Sequence, residues 1–166
     1  MAALLEKWTT EGLSPKFTAW NKRNPEADPA QCGRYRPDFV WAWDEGVLLL
    51  EFDEGMHSDY ERACELKRMG EASLGYGGRP VQWIRFNPDA FKKDGATRRT
   101  TKKEREEELL ELLGNGVLPA DYEHFLTIDY VCYDPQPGAF VSGLHGLVQT
   151  LQFETIEDYC AWAEAA

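Results

Sequence analysis

Apolar positions recur along the chain with two different periods, and this mixture predicts an α/β protein. Segments 35–43 and 47–53 have the alternation of strands, and the three-residue turn between them requires an antiparallel hairpin. Ser58 and Glu61 form a capping-box pattern, so a helix is expected to begin there. The predicted helices span 1–12, 58–74, 102–113 and 156–164, and the predicted strands span 35–43, 47–53, 81–86 and 125–133.

The order of these elements indicates a small mixed β-sheet flanked by helices. The strand, helix and strand that follow the hairpin turn favour a parallel pair joined by a crossover. The strand at 125–133 is expected near the edge of the sheet. Residues 14–33 are rich in Pro and Asn and indicate a loop, with a short helix around 17–22 as the alternative. No segment is long enough to act as a linker, so residues 1–166 are expected to form one domain.

Charge is distributed unevenly along the chain. The 166 residues carry 18 basic and 29 acidic side chains, and this net charge of −11 alone argues against a partner rich in phosphate. The segment 92–105 nevertheless contains seven basic residues and only two acidic ones. A second basic cluster lies before Asp38 and consists of Lys16, Lys22, Arg23, Arg34 and Arg36. An acidic chain of this kind can present a basic face to a nucleic acid.

The sequence lacks the patterns of a secreted or membrane protein. Its first residues have no basic start followed by an apolar stretch, and no apolar run approaches the roughly 20 residues of a transmembrane helix. The four cysteines show no Cys-x-x-Cys pair and are expected to be free thiols: Cys32, Cys64, Cys132 and Cys160. We therefore expect a soluble intracellular protein, of the cytoplasm or the nucleus, with no membrane partner.

Acidic residues gather where the first two strands would meet. Asp38 lies on the first strand, and Glu51 and Asp53 end the second, where alternation points both toward one face. Glu54 follows Asp53 directly, and His57 comes three residues after Glu54. Neighbouring carboxylates at a buried strand are costly unless a cation neutralises them, and hard divalent ions bind such groups. The pattern predicts a Mg²⁺ site, which Mn²⁺ would also occupy, formed by Asp38, Glu51 and Asp53, and it suggests metal-dependent cleavage of a phosphodiester.

Two short motifs, Pro37-Asp38 and Glu51-Phe52-Asp53, lie on the two strands of the predicted hairpin. The predicted elements follow one another as helix, antiparallel hairpin, helix and parallel strand. This arrangement resembles the core of the PD-(D/E)xK nuclease superfamily, which has the restriction-endonuclease-like fold. The third position of the family signature is usually Lys but is Asp53 here. In this respect the chain is similar to the branch of the very-short-patch repair and homing endonucleases, where a histidine assists.

The runs from Glu51 to Tyr60 and from Ile84 to Asp89 are also similar to patterns in proteins of large DNA viruses. The resemblance covers about residues 34–91, and the helices and strand outside this core would be additions to it. Asn87-Pro88-Asp89, after the third predicted strand, is either part of the site or only a turn.

The resemblance implies a Mg²⁺-dependent DNA endonuclease. His57 would move a proton in place of the missing lysine, and Arg68 and Arg85 would steady negative charge on the phosphate. The predicted contacts to the nucleic-acid backbone are Arg34, Arg36, Lys92, Lys93, Arg98, Arg99, Lys102 and Lys103. RNA stays open as a substrate, and a homodimer stays open as the oligomeric state.

Two alternatives come from other functional classes. The first is a nucleic-acid-binding module derived from a nuclease but inactive, because the family lysine is missing. The second is a protein-interaction domain in which the carboxylates are incidental, and the net charge of −11 favours it. Metal-dependent cleavage of a nucleic acid would identify the enzyme, and binding without cleavage would identify the binding module. The absence of both would favour the protein-interaction domain.

Overall fold

The computed structural model is an α/β protein in which a mixed β-sheet lies between two layers of helices. It describes residues 2–12, 19–20, 37–57, 62–93, 96–115, 122 and 124–166. Within these residues the strands are β1 (Ala19–Trp20), β2 (Phe39–Ala42), β3 (Val47–Phe52), β4 (Val81–Phe86), β5 (Leu126–Val131), β6 (Phe140–Ser142) and β7 (Val148–Phe153). Their order across the sheet is β1-β2-β3-β4-β5-β7-β6.

Both predicted strand pairings are present. β2 and β3 are antiparallel, with Phe39 opposite Leu50. β3 and β4 are parallel, with Glu51 opposite Arg85, and β5 continues the parallel block with Tyr130 opposite Arg85. β7 and β6 extend the sheet beyond β5 as antiparallel strands. The carboxyl ends of β3, β4 and β5 therefore meet at one edge of the sheet.

Helices cover both faces of the sheet: α1 (Ala2–Thr10), α2 (Arg62–Leu74), α3 (Lys102–Asn115) and α4 (Ile156–Ala165). α1 and α3 pack on one face, where Leu109 lies in the same apolar cluster as Phe52. α2 and α4 pack on the other, where Met69 lies in the same cluster as Trp83. A 3₁₀ turn occupies Glu54–His57 between β3 and α2. None of the helices in the described residues is long and apolar enough to cross a bilayer.

Some predicted elements need correction. β5 lies inside the sheet rather than at its edge, because β7 pairs along its full length and all six of its residues are buried. Ala19–Trp20 form a strand beside β2, so the short helix considered around 17–22 does not include these two positions. α3 continues through Gly114 instead of ending there. β6 and β7 have no predicted counterpart, because glycines interrupt the alternation between them.

Capping boxes begin two of the described helices. The hydroxyl of Thr155 accepts the N–H of Asp158, and the carboxylate of Asp158 accepts the N–H of Thr155, which completes a capping box at α4. Thr101 and Glu104 exchange the same two bonds at the start of α3. The predicted Ser58–Glu61 box lies outside the described residues. Cys132 and Cys160 are free thiols, as predicted, and Cys64 forms no disulfide within the described residues. Cys32 lies outside those residues.

A buried carboxylate joins α3 to the turn between β6 and β7. Glu108 is inaccessible to solvent, and its Oε1 accepts the N–H groups of His145 and Leu147. One turn along the helix, Oε2 of Glu111 accepts the N–H of Leu144 at 3.1 Å. The acidic face of α3 thus satisfies backbone donors that the tight turn leaves without strand partners.

Candidate active site at the ends of the parallel strands

The predicted acidic residues lie where β3, β4 and β5 end, on the sheet face that α2 covers. Leu49 and Trp83 belong to the apolar cluster of that face, so alternation places Glu51 and Arg85 on it as well. The register makes Glu51 and Arg85 direct neighbours across β3 and β4. In open α/β sheets, ligands bind in the crevice outside the carboxyl ends of the strands.

Asp53, directly after β3, is fully buried and forms a close pair with Arg85. Nε of Arg85 lies 2.5 Å from Oδ2 of Asp53, and the hydroxyl of Tyr133 donates to the same oxygen. The other guanidinium nitrogens of Arg85 donate to the carboxylate of Glu65 on α2, at 3.2 to 3.3 Å. We call these four residues the Arg85 cluster. It ties the ends of three parallel strands to one another and to the helix above them.

Burial and charge have opposite effects on Arg85. Desolvation alone would lower the pKa of its guanidinium, but the negative charge and hydrogen bond of Asp53, with the charge of Glu65, raise that pKa well above its usual value. Burial also raises the pKa of the Tyr133 hydroxyl far above its usual value, so the phenol keeps its proton and donates to Asp53. Arg85 is therefore a permanent cation held between the carboxylates of Asp53 and Glu65.

Asp38 and Glu51 occupy the more open side of the same strand ends. Phe39 pairs with Leu50 across the antiparallel strands β2 and β3. Asp38, the residue before Phe39, is therefore opposite Glu51, the residue after Leu50. Oδ2 of Asp38 accepts the backbone N–H of Phe52 at 2.9 Å, which turns this carboxylate toward β3. Both acidic residues are partly buried, whereas Asp53 is completely enclosed.

Two carboxylates in this position fit a magnesium ion. Mg²⁺ is usually held by one or two protein carboxylates, with water and substrate phosphate completing its shell. Among the described residues, no three or more His, Cys, Asp or Glu side chains form a group that could hold a metal ion. The carboxylate of Asp53, one of the three predicted ligands, is bonded to Arg85 and Tyr133. In this arrangement Asp38 and Glu51 are the pair that could bind an ion, and Asp53 positions Arg85.

The 3₁₀ turn that follows β3 is attached to the end of β4. The N–H of Gly55, at φ 64°, donates to Oδ2 of Asp89 at 2.8 Å. Asp89 is itself held by a bond from its N–H to Oδ1 of Asn87. The segment after β4 is therefore a turn that also positions the neighbouring turn. His57 is the last residue of the 3₁₀ turn, and its side chain lies outside the described part of the structure.

The two arginines predicted to face the substrate surround Glu65 instead. Arg85 is only 5 % exposed and is bonded to carboxylates on two sides. Nη2 of Arg68 lies 4.0 Å from Oε1 of Glu65, and its side chain is 27 % exposed. Arg85 therefore acts on the site by positioning carboxylates, and Arg68 is the one of the two with access to solvent.

The arginines of the basic segment 92–105 bond mainly to their own surroundings. Arg105 is buried and donates to two backbone carbonyls. Arg98 donates to both oxygens of Glu104, at 2.5 and 2.9 Å, and this bonding holds the pKa of Glu104 well below its usual value. Arg99 donates to a backbone carbonyl at 3.0 Å. These side chains stabilise the loop before α3.

The lysines of the same segment are exposed to solvent: Lys92, Lys93, Lys102 and Lys103. The last two form surface pairs, at 3.5 Å, with acids one turn further along α3. Such pairs are weak and exchange readily with other partners. Of the remaining predicted phosphate contacts, Arg34 and Arg36 lie outside the described residues.

Glu65 and Tyr133 belong to the site, although no sequence motif marks them. Tyr133 follows β5 by two residues, and an interior, parallel position for that strand would have brought it to the same edge as Asp53. Glu65 lies one turn before Met69 on α2, and both contact Arg85. This contact depends on how α2 lies over the sheet, which periodicity does not specify.

Comparison with known proteins assigns no relative. No family model, no curated protein and no solved structure matches this chain. The functional argument therefore rests on the residues and geometry of the site.

Proposed function

We propose that this chain is a Mg²⁺-dependent DNA endonuclease with a restriction-endonuclease-like core. The supporting observation is the placement of Asp38 and Glu51, two partly buried carboxylates that lie opposite each other at the carboxyl end of the parallel strands. The buried Asp53–Arg85 pair lies directly beside Glu51 and keeps that end of the sheet in place. The order of antiparallel hairpin, helix and parallel strand agrees with the family that the motifs resemble.

The side chains have separate parts in this proposal. Asp38 and Glu51 hold the ion, and bound Mg²⁺ supplies positive charge to a phosphoryl oxygen and lowers the pKa of water. His57 accepts a proton from the attacking water, as neutral imidazole does near neutral pH. Arg68 donates to the phosphate oxygens on which negative charge increases. The exposed lysines of segment 92–105 contact the nucleic-acid backbone.

The test measures cleavage and ion binding together. Plasmid DNA, single-stranded DNA and RNA are incubated with Mg²⁺, Mn²⁺ or EDTA, and cleavage is expected with either ion and absent with EDTA. Asp38→Asn and Glu51→Gln should each abolish cleavage and reduce the rise in melting temperature that Mg²⁺ produces. Glu54→Gln removes an exposed carboxylate beside Asp53 and is the matched control that should retain both.

Calorimetry separates failure of the ion site from failure of catalysis. Equal Mg²⁺ affinity in the wild type and in the Asp38→Asn, Glu51→Gln double variant would show that these carboxylates do not hold the ion. If Mg²⁺ binding depends on these carboxylates but no substrate is cleaved, the proposed ion site is correct and the proposed nuclease activity is wrong.

A nucleic-acid-binding module without catalytic activity is the second candidate, and one observation favours it. The third position of the family signature is the carboxylate Asp53, which is bonded to Arg85 and Tyr133. That position therefore offers no amine to orient water. A shift of labelled DNA in a gel, with no cleavage in Mg²⁺ or Mn²⁺, would select this candidate.

A further inference from the structure

The sheet ends at β6 with an apolar edge. Within the described residues β6 is the last strand of the sheet, and β7 pairs with its inner side. Phe140 is 50 % exposed, Val141 60 % and Leu144 62 %. The outer edge of a strand carries backbone donors and acceptors that can pair with another strand, and proteins usually protect such edges with charged side chains.

The segment around β6 has no such protection. Residues 135–153 contain no Asp, Glu, Lys or Arg, although the whole chain has a net charge of −11. Two copies of so acidic a chain repel each other over much of their surface. At β6 the strand and its turn add no charge of their own to this repulsion.

Side chains of β6 are exposed on both faces of the sheet. Phe140 lies opposite Thr150, which shares its sheet face with Val148 and therefore with α1 and α3. Val141 lies opposite Gln149 and points to the face of α2 and α4. A strand added beyond β6 would extend the apolar layers on both faces of the sheet.

We propose that β6 pairs antiparallel with β6 of a second copy, around a twofold axis at Val141. In this register the two Val141 side chains face each other, and each Phe140 lies opposite Ser142, whose small side chain leaves room for the ring. The antiparallel direction also brings the hairpin turn of one copy beside Gly138 of the other. Acidic residues at that turn, such as Glu111, are thereby kept apart.

This self-complementary register is why the occupant is a second copy and not an unrelated extended peptide. A twofold axis requires a surface patch that is complementary to itself. The Phe140–Ser142 segment meets this requirement, because its large side chain lies opposite its small one and its medium side chain lies opposite itself. The interface is short, so the dimer should form reversibly and at high protein concentration.

Sedimentation velocity of the full chain tests the proposal, at concentrations from about micromolar to millimolar. A reversible monomer–dimer equilibrium is expected. Val141→Lys and Val141→Glu should each weaken the dimer at least about tenfold, because like charges then face each other across the axis. An equal mixture of the two variants should restore dimers. Leu74→Lys changes another exposed apolar residue, on α2, and is the matched control that should leave the equilibrium unchanged.

Three results would overturn the proposal. The first is a wild-type chain that stays monomeric over the whole range. The second is a dimer that Leu74→Lys weakens and Val141→Lys does not, because the interface would then lie at α2 and α4. The third is a mixture of the Lys and Glu variants that remains monomeric. Circular dichroism and the melting temperature verify that each variant is folded. Because the measurement uses no nucleic acid, it is independent of the nuclease proposal.

Discussion

Nε of Arg85 lies 2.5 Å from Oδ2 of Asp53, and neither side chain reaches solvent to a useful extent. An intact buried ion pair contributes little net stability, because the cost of removing two charges from water offsets their attraction. Loss of one partner is different, since the other charge then remains buried without compensation. Arg85 also compensates Glu65, so its removal would affect two carboxylates.

Arg85→Met should therefore lower the free energy of unfolding by about 3 to 5 kcal/mol. Urea denaturation at neutral pH measures this loss. Arg62→Met is the matched control, because Arg62 is exposed and donates only to the side chain of Gln136 among the bonds found in the described residues. A change within about 0.5 kcal/mol is expected there. If Arg85→Met cost no more than the control, the Arg85 cluster would not be part of the folded protein in solution.

The second prediction concerns Asp129 and the pH dependence of stability. It lies buried in β5, where its oxygens accept bonds from Thr150 and Gln82, each at 2.6 Å. Burial raises the pKa of this carboxyl. A group whose pKa is raised by folding binds more protons in the folded chain than in the unfolded one. Stability should therefore fall as the pH rises from about 4, the unfolded value, through the folded pKa.

Asp129→Asn should flatten that fall and raise stability near neutral pH. The amide can still accept from Thr150, and Gln82 can turn its own amide to accept the new donor. Denaturation midpoints measured between about pH 4 and pH 8 give the profile. Asp134→Asn, at an exposed position after β5, should leave the profile unchanged. A lower stability of Asp129→Asn at neutral pH would mean that the folded chain prefers the ionised carboxylate.

The exposed lysines give a prediction about nucleic-acid binding. Lys102→Glu combined with Lys103→Glu should weaken DNA binding and reduce its dependence on salt, because each lost phosphate contact removes about one unit from the salt slope. Lys7→Glu combined with Arg62→Glu reverses two other exposed cations and is the control. If DNA affinity depends on salt concentration equally in the two double variants, the start of α3 does not contact the nucleic acid. Reversal of Arg98 is a poorer test, because Arg98 holds the capping residue Glu104.

His57 carries the prediction about catalysis. His57→Ala and His57→Gln should each lower the cleavage rate roughly 10²- to 10⁴-fold, the usual size of a general acid–base contribution, with Mg²⁺ affinity retained. A glutamine that restores the rate would show that His57 orients water without moving a proton. If both variants cleave at the wild-type rate, His57 does not activate the attacking water, and Lys67 or Arg68 becomes the candidate for that role.

The hairpin and the parallel strand beyond it could be predicted from sequence because local signals specify them. A three-residue turn permits only an antiparallel pair, and a buried run such as Val47–Phe52 predicts a strand on its own. The position of β5 could not be predicted in this way. Its interior place depends on pairing with β7, and the segment 140–153 has a pattern broken by glycines.

The position of the acidic residues at the strand ends was predictable, but their bonding was not. Alternation along β3 places Glu51 and Asp53 on one face, and this led to a predicted site of three carboxylates. The alternation says nothing about Arg85, which approaches from the next strand and binds Asp53. Charge counting has the same limit in segment 92–105. It identifies the basic residues, but only the structure separates the buried Arg105 from the exposed lysines.

The bonds from Glu108 and Glu111 to the turn between β6 and β7 make helix α3 and the turn one cooperative unit. Local unfolding that frees the turn must also expose the carboxylate of Glu108, so the two should open together. Amide hydrogen exchange would report this as a common rate for the N–H groups of Leu144, His145 and Leu147. A strand that leads into so fixed a turn has already lost its backbone freedom, and pairing it with a further strand adds little entropic cost.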